Sequence, residues 1–227
     1  RLETGGGQHG MSFDDWGHKF VCSNSNHIQQ VMAEDRYLGR NPFLTTASAV
    51  ASIAADGPQA EVYRSSPVEP WRIVRTRLRV SGAVKGAVEG GGRAAGYFTG
   101  ATGVTIYRGD QLPTDLHGMA IVGDVGSNLV HRKKLTLSGV QYVATRIDEQ
   151  SEFVASNDIW FRPAQFANGP DGGRQIDRLI EAGGGSTTGH GGTDGFAATS
   201  SGQASDPSRL GVGPDAGDLA RELAIAG

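Results

Sequence analysis

The strongest constraint on this chain is the uneven distribution of its aromatic residues and glycines. Fifteen of the 16 aromatic residues lie in residues 1–172, whereas residues 173–227 hold 13 of the 35 glycines and one aromatic residue, Phe196. A segment with so little apolar surface cannot offset the entropy that it loses on ordering. We therefore expect residues 1–172 to fold, and residues 173–227 to form a flexible glycine-rich tail with short helical segments at 176–182 and 219–225.

The composition of the chain excludes several classes of protein. A net charge of −3 and a hydrophobic content of 37% argue against a wholly disordered chain. The balance of 21 basic and 24 acidic side chains gives no basic surface for nucleic acid. The single cysteine, Cys22, cannot form an internal disulfide, a cysteine zinc site or a covalent haem attachment site. No apolar run is long enough to span a membrane.

Short apolar or alternating runs, separated by Gly, Asp, Asn and Pro turns, fill residues 1–172 and predict an all-β fold. No helical pattern of crossover length follows any of them, so we expect antiparallel sheets. The segment around Ile28–Tyr37 and the start of the stretch Thr45–Ala55 are helix candidates, with loop insertions as the equal alternative. The predicted strands are Gly10–Phe13, Lys19–Ser23, Ile28–Met32, Glu61–Arg64, Ile73–Val80, Val104–Tyr107, Met119–Val125, Leu129–Leu135, Val140–Ile147 and Phe166–Asn168.

A weak repeat accompanies these strands. Phe13–Asn24 combines an acidic turn, a glycine, an aromatic strand and an asparagine, and Ile121–Asn128 and Phe166–Gly172 repeat parts of this plan. Acidic-glycine turns suit tight hairpins because glycine adopts positive φ freely. The spacing of the repeat is irregular, so the pattern predicts a sandwich or a propeller.

Longer strings carry a family resemblance. Ala101–Pro113 contains a Gly-apolar-x-apolar-Tyr-x-Gly-Asp segment, and Trp160–Gly172 ends in a Gly-Pro-Asp-Gly turn. Both resemble the glucose/sorbosone dehydrogenase family of six-bladed quinoprotein β-propellers. Three further strings are similar to segments of the membrane-bound dehydrogenase proteins of planctomycete-type bacteria: Phe20–Val31, Ser66–Arg72 and Asn128–Lys134. The resemblance covers residues 1–172 and implies an incomplete propeller of about four blades, since a blade takes about 40–45 residues.

The resemblance also implies a function. Such a protein would oxidise a sugar or polyol outside the cytoplasm, with pyrroloquinoline quinone and Ca²⁺ as cofactors and a haem-c or other electron-transfer module as partner. His9 is the candidate general base, with a structural turn histidine as the alternative. Arg162 is the candidate quinone contact, and the alternative is an ion pair with Asp158. Arg93 and Thr99 are weaker candidates for cofactor contacts.

The chain also departs from the family pattern. Gly126 or Ser127 stands near the position where the family can use a lysine toward the cofactor, and Asp14, Asp15 and Asp110 have no calcium-loop spacing, so metal ligands stay unassigned. The basic run His131–Lys134 is expected to be a solvated strand edge. The missing lysine and the spacing of His9 from its acidic-glycine turn favour a rival function, a non-catalytic propeller that binds glycan or protein through its loop face, whereas the retained Arg162 favours the enzyme. We expect the chain to be a truncated propeller joined to an unrelated tail.

Overall fold

The computed structural model describes residues 9–41, 43, 48–110, 113–168 and 174–178. The chain divides into two units, Arg1–Ser186 and Thr187–Gly227, and every described residue belongs to the first. The flexible segment and the 219–225 helix predicted for the tail lie outside the described residues. No helix in the described part of the chain is long and apolar enough to cross a membrane.

The first sheet is an antiparallel meander in which each strand pairs with the next along the chain. A local interaction forms its first turn: Asp14 Oδ1 accepts the backbone N–H groups of Trp16 and His18, and Gly17 adopts a φ of +83°. The strands predicted at 10–13, 19–23 and 28–32 are confirmed, and a fourth strand in the segment 45–55 was not predicted. The strands are β1 (Met11–Phe13), β2 (Lys19–Ser23), β3 (Asn26–Val31) and β4 (Val50–Ser52), in that order.

The helix candidate at 28–37 is largely wrong, and the helix candidate at the start of the stretch 45–55 falls mainly on residues outside the described part of the chain. Residues 28–31 belong to β3, and only α1 (Asp35–Leu38) is helical within the segment 28–37. The segment 45–55 contains β4, while residues 45–47 lie outside the described part of the chain. Pairing of β3 with its two neighbours satisfies the backbone groups that a helix would otherwise bond internally.

The connection between the first and second sheets holds a helix where a strand was predicted. α2 (Pro70–Val80) occupies the segment 73–80, so the strand predicted there is wrong. Pro70 lies at the first helical position, where its missing N–H costs nothing. The strand predicted at 61–64 is reduced to one isolated bridge between Glu61 and Tyr97. A short 3₁₀ turn, Gly90–Gly92, follows in the same connection.

The second sheet is also an antiparallel meander and confirms four predicted strands. A 3₁₀ turn, Thr114–Leu116, lies between its first two strands, and a fifth strand pairs with the start of the third. The strands are β5 (Ala101–Ile106), β6 (Ala120–Asp124), β7 (Leu129–Ser138), β8 (Gln141–Arg146) and β9 (Val154–Ala155).

A third antiparallel pair consists of β10 (Pro163–Asn168) and β11 (Arg174–Arg178). The helix predicted at 176–182 is wrong for residues 176–178, which lie in β11. β10 packs closely on β5 at Gly103, where an added Cβ would lie 2.8 Å from the carbonyl oxygen of Ala164 and φ is +65°. A side chain at this position would push the two strands apart.

The hydrophobic core lies between the first and second sheets. β5 contributes three of the buried residues, Ala101, Val104 and Ile106, and contacts β1, β2 and β10. The described residues thus form two full meanders and one hairpin, fewer than the about four blades expected of residues 1–172, because the connection 53–100 carries α2 and loops. Apolar side chains in the core include Phe20, Ile28, Phe98, Val104, Ile106, Val122 and Leu129.

Candidate functional site

Two of the four predicted site residues meet at the turn that follows β6. The Thr99 backbone N–H donates to Asp124 Oδ2 at 3.2 Å, and Arg162 Nη1 donates to the Val125 carbonyl at 3.5 Å. Arg93 lies in the connection between the sheets, and His9 lies beside β5. The structure therefore brings Thr99 and Arg162 to one turn and assigns Arg93 and His9 to other contacts.

Asp124 is the anchor of this turn and is fully buried. In addition to the Thr99 N–H, its carboxylate accepts the backbone N–H groups of Gly126 at 2.7 Å and Ser127 at 3.2 Å. Burial raises the pKa of Asp124, and the three N–H donors work against that rise. Thr99, predicted as a cofactor contact, therefore contributes its backbone to a structural turn.

Three arginines converge on one buried glutamate beside the same turn. Arg72 Nε lies 3.1 Å from Glu69 Oε2, Arg64 Nη2 lies 3.7 Å from the same oxygen, and Arg162 Nη2 lies 3.7 Å from Glu69 Oε1. The side chains of Arg64, Arg72 and Glu69 are at most 10% exposed. We call Arg64, Glu69, Arg72, Asp124 and Arg162 the arginine cluster. The alternative partner predicted for Arg162 was an aspartate, and the observed partner is Glu69.

Three atoms of the arginine cluster are buried without a hydrogen-bond partner: Arg64 Nη1, Arg162 Nε and Glu69 Oε1. Arg64 is otherwise well held, because it donates to the backbone carbonyl and the hydroxyl of Ser66 at 3.0 and 2.9 Å. Ser66 in turn donates to Asn128 Oδ1 at 2.8 Å. The cluster is thus a connected network with a few unsatisfied atoms, which is the setting in which a bridging water or a small polar group binds.

The family can use a lysine near the position of Gly126 or Ser127, and the lack of a lysine there has a steric explanation in this chain. A Cβ added to Gly126 would lie 2.8 Å from Arg72 Nη2 and 3.0 Å from Thr99 Cγ2. The guanidinium of Arg72, which comes from α2, therefore fills the space beside Gly126. Ser127 is buried and donates its N–H to Asp124.

The contacts of Arg93 and His9 are made to residues outside the arginine cluster. Arg93 is half-exposed, donates to the Gly90 carbonyl at 3.1 Å and lies 3.5 Å from Glu61 Oε1. His9 is exposed, and its backbone carbonyl accepts the Gly103 N–H at 2.8 Å. A general base needs its side chain at the reacting group, and His9 is engaged here through its main chain.

A second buried charged network was missed from the sequence. Lys133 is fully buried, and its ammonium lies 2.5 Å from Asp56 Oδ1. His131 is equally buried, and its Nδ1 lies 2.6 Å from Glu152 Oε2. Arg146 lies within 4 Å of both carboxylates. The run 131–134 is therefore not a solvated edge, because β7 turns alternate residues of the run toward the first sheet.

Burial disfavours the charged form of both histidines of this network. His27 stacks on Phe98 with ring centroids 4.3 Å apart, and its Nδ1 lies 2.8 Å from the Pro58 carbonyl. Burial, with a contribution from the charge of Lys133, lowers the pKa of His27 to about 3. Burial also lowers the pKa of His131, although Glu152 acts in the opposite direction. Neutral, packed rings of this kind stabilise the fold.

An acid–base pair lies at the turn between β1 and β2. His18 Nδ1 is 2.7 Å from Asp14 Oδ2, and the Tyr142 hydroxyl donates to the same oxygen at 3.1 Å. Burial raises the pKa of Asp14, but hydrogen bonds from His18 and Tyr142 outweigh it and leave the pKa lowered. His18 lines an open cleft with Phe13, Met32 and Tyr37. The sequence signal was the four-residue spacing of Asp14 and His18 in an acidic turn.

Metal binding receives no support from the described residues. Within residues 9–168, apart from the gaps in that range, no group of three or more His, Cys, Asp or Glu side chains converges as metal ligands do. Asp14 is bound to His18 and Tyr142, and Asp15 lies near Arg108 and His117.

One comparison with known proteins gives a match. Residues 1–174 match the model of a protein family described as a domain of unknown function, DUF7133. No curated protein and no solved structure matches the chain.

Proposed function

The chain belongs to the DUF7133 family, and from this premise and the geometry above we propose that it is a non-catalytic, propeller-type binding module. In this proposal the module binds a protein partner through the connection between its two sheets. One observation carries the proposal: the two predicted cofactor contacts at the turn after β6 are committed to contacts inside the fold, and the third, Arg93, pairs at the surface. Arg162 pairs with Glu69, Thr99 anchors Asp124, and Arg93 lies against Glu61.

The propeller part of the proposal rests on strand order. Each meander pairs its strands consecutively, as the strands of a propeller blade do. β5, the first strand of the second meander, contacts β1 and β2 of the first meander and β10, the first strand of the hairpin. The innermost strands of neighbouring blades meet in this way around a central channel.

The residues of the arginine cluster do not fit pyrroloquinoline quinone. This cofactor carries three carboxylates, and two buried carboxylates, Glu69 and Asp124, already lie among the arginines that would bind it. The three carboxylates of the cofactor would be repelled by Glu69 and Asp124, and the low dielectric of the buried cluster would strengthen that repulsion. Ca²⁺ would likewise lack a converging set of oxygen ligands among the described residues.

The sugar or polyol dehydrogenase is the competing proposal, and one observation favours it. Arg64 Nη1 and Arg162 Nε are buried donors without partners, and both point to a missing acceptor. An extracytoplasmic location and a haem-c or other electron-transfer partner belong to this competing proposal. Buried water that donates to Glu69 Oε1, which also lacks a hydrogen-bond partner, would satisfy donors of this kind without a cofactor.

A protein partner fits the exposed surface better than a glycan does. The connection between the sheets exposes aliphatic side chains, among them Val74, Leu78, Val84 and Val88. A contiguous apolar surface of this kind is typical of protein–protein contact. Sugars, by contrast, offer many hydroxyl groups that require polar partners.

Calorimetric titration of the 227-residue chain with pyrroloquinoline quinone in the presence of Ca²⁺ tests the proposal. We expect no heat of binding for the wild-type chain and none for the Arg162→Ala variant. Saturable binding by the wild type that Arg162→Ala abolishes would overturn the proposal in favour of the dehydrogenase. The variant must keep its circular dichroism spectrum for that comparison to hold.

A further inference from the structure

The helix α2 buries its basic side and exposes its apolar residues, which is the reverse of the usual arrangement in a surface helix. Arg72 is buried, and Arg75, Thr76 and Arg79 are half-buried, so the basic side of the helix faces the body of the protein. The apolar residues on the remaining sides are 39–57% exposed: Trp71, Ile73, Val74, Leu78 and Val80. A surface helix normally buries its apolar stripe. In α2 the ion pair between Arg72 and Glu69 fixes the opposite orientation.

The loop after α2 enlarges this apolar surface. The Val84 N–H donates to the Leu78 carbonyl at 3.2 Å, which returns the loop toward the helix. A Cβ at Gly92 would lie within 4 Å of both Val80 and Val88, so these two side chains are neighbours. Val84 and Val88 are exposed. We call the exposed side of α2 together with Val84 and Val88 the α2 face.

Three residues of the α2 face have the spacing of a docking helix. Trp71, Val74 and Leu78 stand at positions i, i+3 and i+7, which lie along one side of a helix. The indole of Trp71 is held in place, since the guanidinium carbons of Arg72 and Arg75 lie 4.7 and 4.8 Å from its ring centroid. A pre-oriented aromatic anchor loses little conformational entropy when it is buried in an interface.

The charge around the α2 face defines the partner. Residues 70–88 contain four arginines and Lys85 but no acidic residue. Arg77 is exposed beside the apolar residues. A second copy of this chain would add the exposed cations Arg77 and Lys85 and no carboxylate from residues 70–88, which disfavours self-association. The complementary surface is apolar with acidic side chains at its edges.

The orientation of the arginines also argues against a lipid surface. A helix that lies on a membrane uses its basic side to reach anionic headgroups. In α2 that side is turned into the protein, and Arg72 is committed to Glu69. Only Arg77 of the four helix arginines is exposed. One exposed arginine is enough to pair with a protein partner that places one or two carboxylates beside it.

We propose that the α2 face docks against an acidic amphipathic helix of a protein partner. This inference rests on the proposed binding function and names the chemistry of its partner. Leucine-like residues of the partner helix pack on Trp71, Val74 and Leu78, and a glutamate or aspartate beside them pairs with Arg77. The two helices bury their apolar stripes against each other, and the acidic edge selects this surface over other apolar partners.

A fluorescence-anisotropy titration of a labelled synthetic peptide with the 227-residue chain tests the inference. The peptide has about three heptads with leucines at a and d and glutamates at e and g. A sister peptide with lysines in place of the glutamates is the matched control. We expect the glutamate peptide to bind at least about tenfold more tightly than the lysine peptide. We also expect Trp71→Ala and Leu78→Glu each to weaken the binding of the glutamate peptide by about tenfold or more.

The Arg77→Glu variant should reverse the preference, so that the lysine peptide binds more tightly. Val140→Glu, on the exposed turn between β7 and β8, is the control and should leave both titrations unchanged. Equal binding of the two peptides, or equal effects of Leu78→Glu and Val140→Glu, would overturn the inference. So would chain binding to phosphatidylglycerol vesicles that Leu78→Glu abolishes, without binding to the peptide. Quinone binding would overturn the proposed function itself, which this experiment does not measure.

Discussion

Replacement of Asp124 by alanine should destabilise the chain strongly, because its carboxylate supports the turn after β6. Three backbone N–H groups, those of Thr99, Gly126 and Ser127, donate to this carboxylate at 3.2, 2.7 and 3.2 Å. Each hydrogen bond to a charged acceptor contributes roughly 1.5 kcal/mol. The cost of burying Asp124, visible in its raised pKa, offsets part of this sum. We expect Asp124→Ala to lower the free energy of unfolding by about 3–4 kcal/mol.

Urea unfolding followed by circular dichroism measures this loss, with an unchanged m-value as the sign of an unchanged native state. Asp124→Asn retains one acceptor oxygen and should lose about half as much. Asp115→Ala, at an exposed position, is the matched control and should change stability by less than about 0.5 kcal/mol. A loss below about 1 kcal/mol for Asp124→Ala would refute the interpretation of this turn as structural.

Three further perturbations test other parts of the structure. The pKa of His27 is about 3 in the folded chain and 6.5 in the unfolded chain, so its neutral ring stabilises the native state above pH 6.5, and this stabilisation is lost as the pH falls. By pH 5 the free energy of unfolding should have fallen by about 2 kcal/mol on this account. The fall should be absent in His27→Asn and retained in the control His117→Asn. Lys133→Met removes the nearest cation from Asp56 and leaves that carboxylate only Arg146, at 3.9 Å, so it should cost about 2–4 kcal/mol in urea unfolding; a cost below about 1 kcal/mol would contradict the importance of this ion pair. Gly103→Ala places a Cβ 2.8 Å from a backbone oxygen at a φ of +65°, whereas Gly57→Ala enters open space at a φ of +86°; thermal unfolding should show a loss of more than about 2 kcal/mol for the first and about 1 kcal/mol for the second, and equal losses would contradict the packing of β10 on β5.

Strand prediction from the sequence succeeded where alternation, β-branched residues and turn residues agreed. The segments 119–125, 129–135 and 140–147 are strands because turns bound them closely and each pairs with its neighbour. The count of about four sheets failed, since it assumed that all 172 residues follow one repeat.

The segment 73–80 shows why the prediction failed at α2. Arg75, Arg77 and Arg79 alternate with other residues, which is the period of a strand. The same sequence places Arg72, Arg75 and Arg79 on one side of a helix. Helical spacing prevailed because Glu69 offers a buried partner to Arg72, and the sequence alone does not show that contact.

The arginine cluster could not be assembled from the sequence. Arg72 comes from α2, Asp124 from the end of β6, and Arg162 from the segment before β10. Local spacing carries no information about contacts across such separations. Arg162 was identified through the family resemblance, which indicated a functional arginine but not Glu69 as its partner.

The prediction that the run 131–134 is a solvated strand edge failed for a different reason. Four successive polar residues were read as one solvated surface, although β7 sends alternate residues to opposite sides. His131 and Lys133 share the side that faces Glu152 and Asp56. A buried partner on a distant segment again decided the outcome.

The free energy of unfolding of the wild-type chain, measured in urea with and without pyrroloquinoline quinone and Ca²⁺, tests the central claim most directly. A ligand of the native state at a hundredfold excess over its Kd adds about 2.7 kcal/mol. If the arginine cluster is structural, the two values will agree within the error of the extrapolation, while Arg162→Ala will be less stable in both. A gain of about 2–3 kcal/mol with the quinone that disappears in Arg162→Ala would contradict the claim.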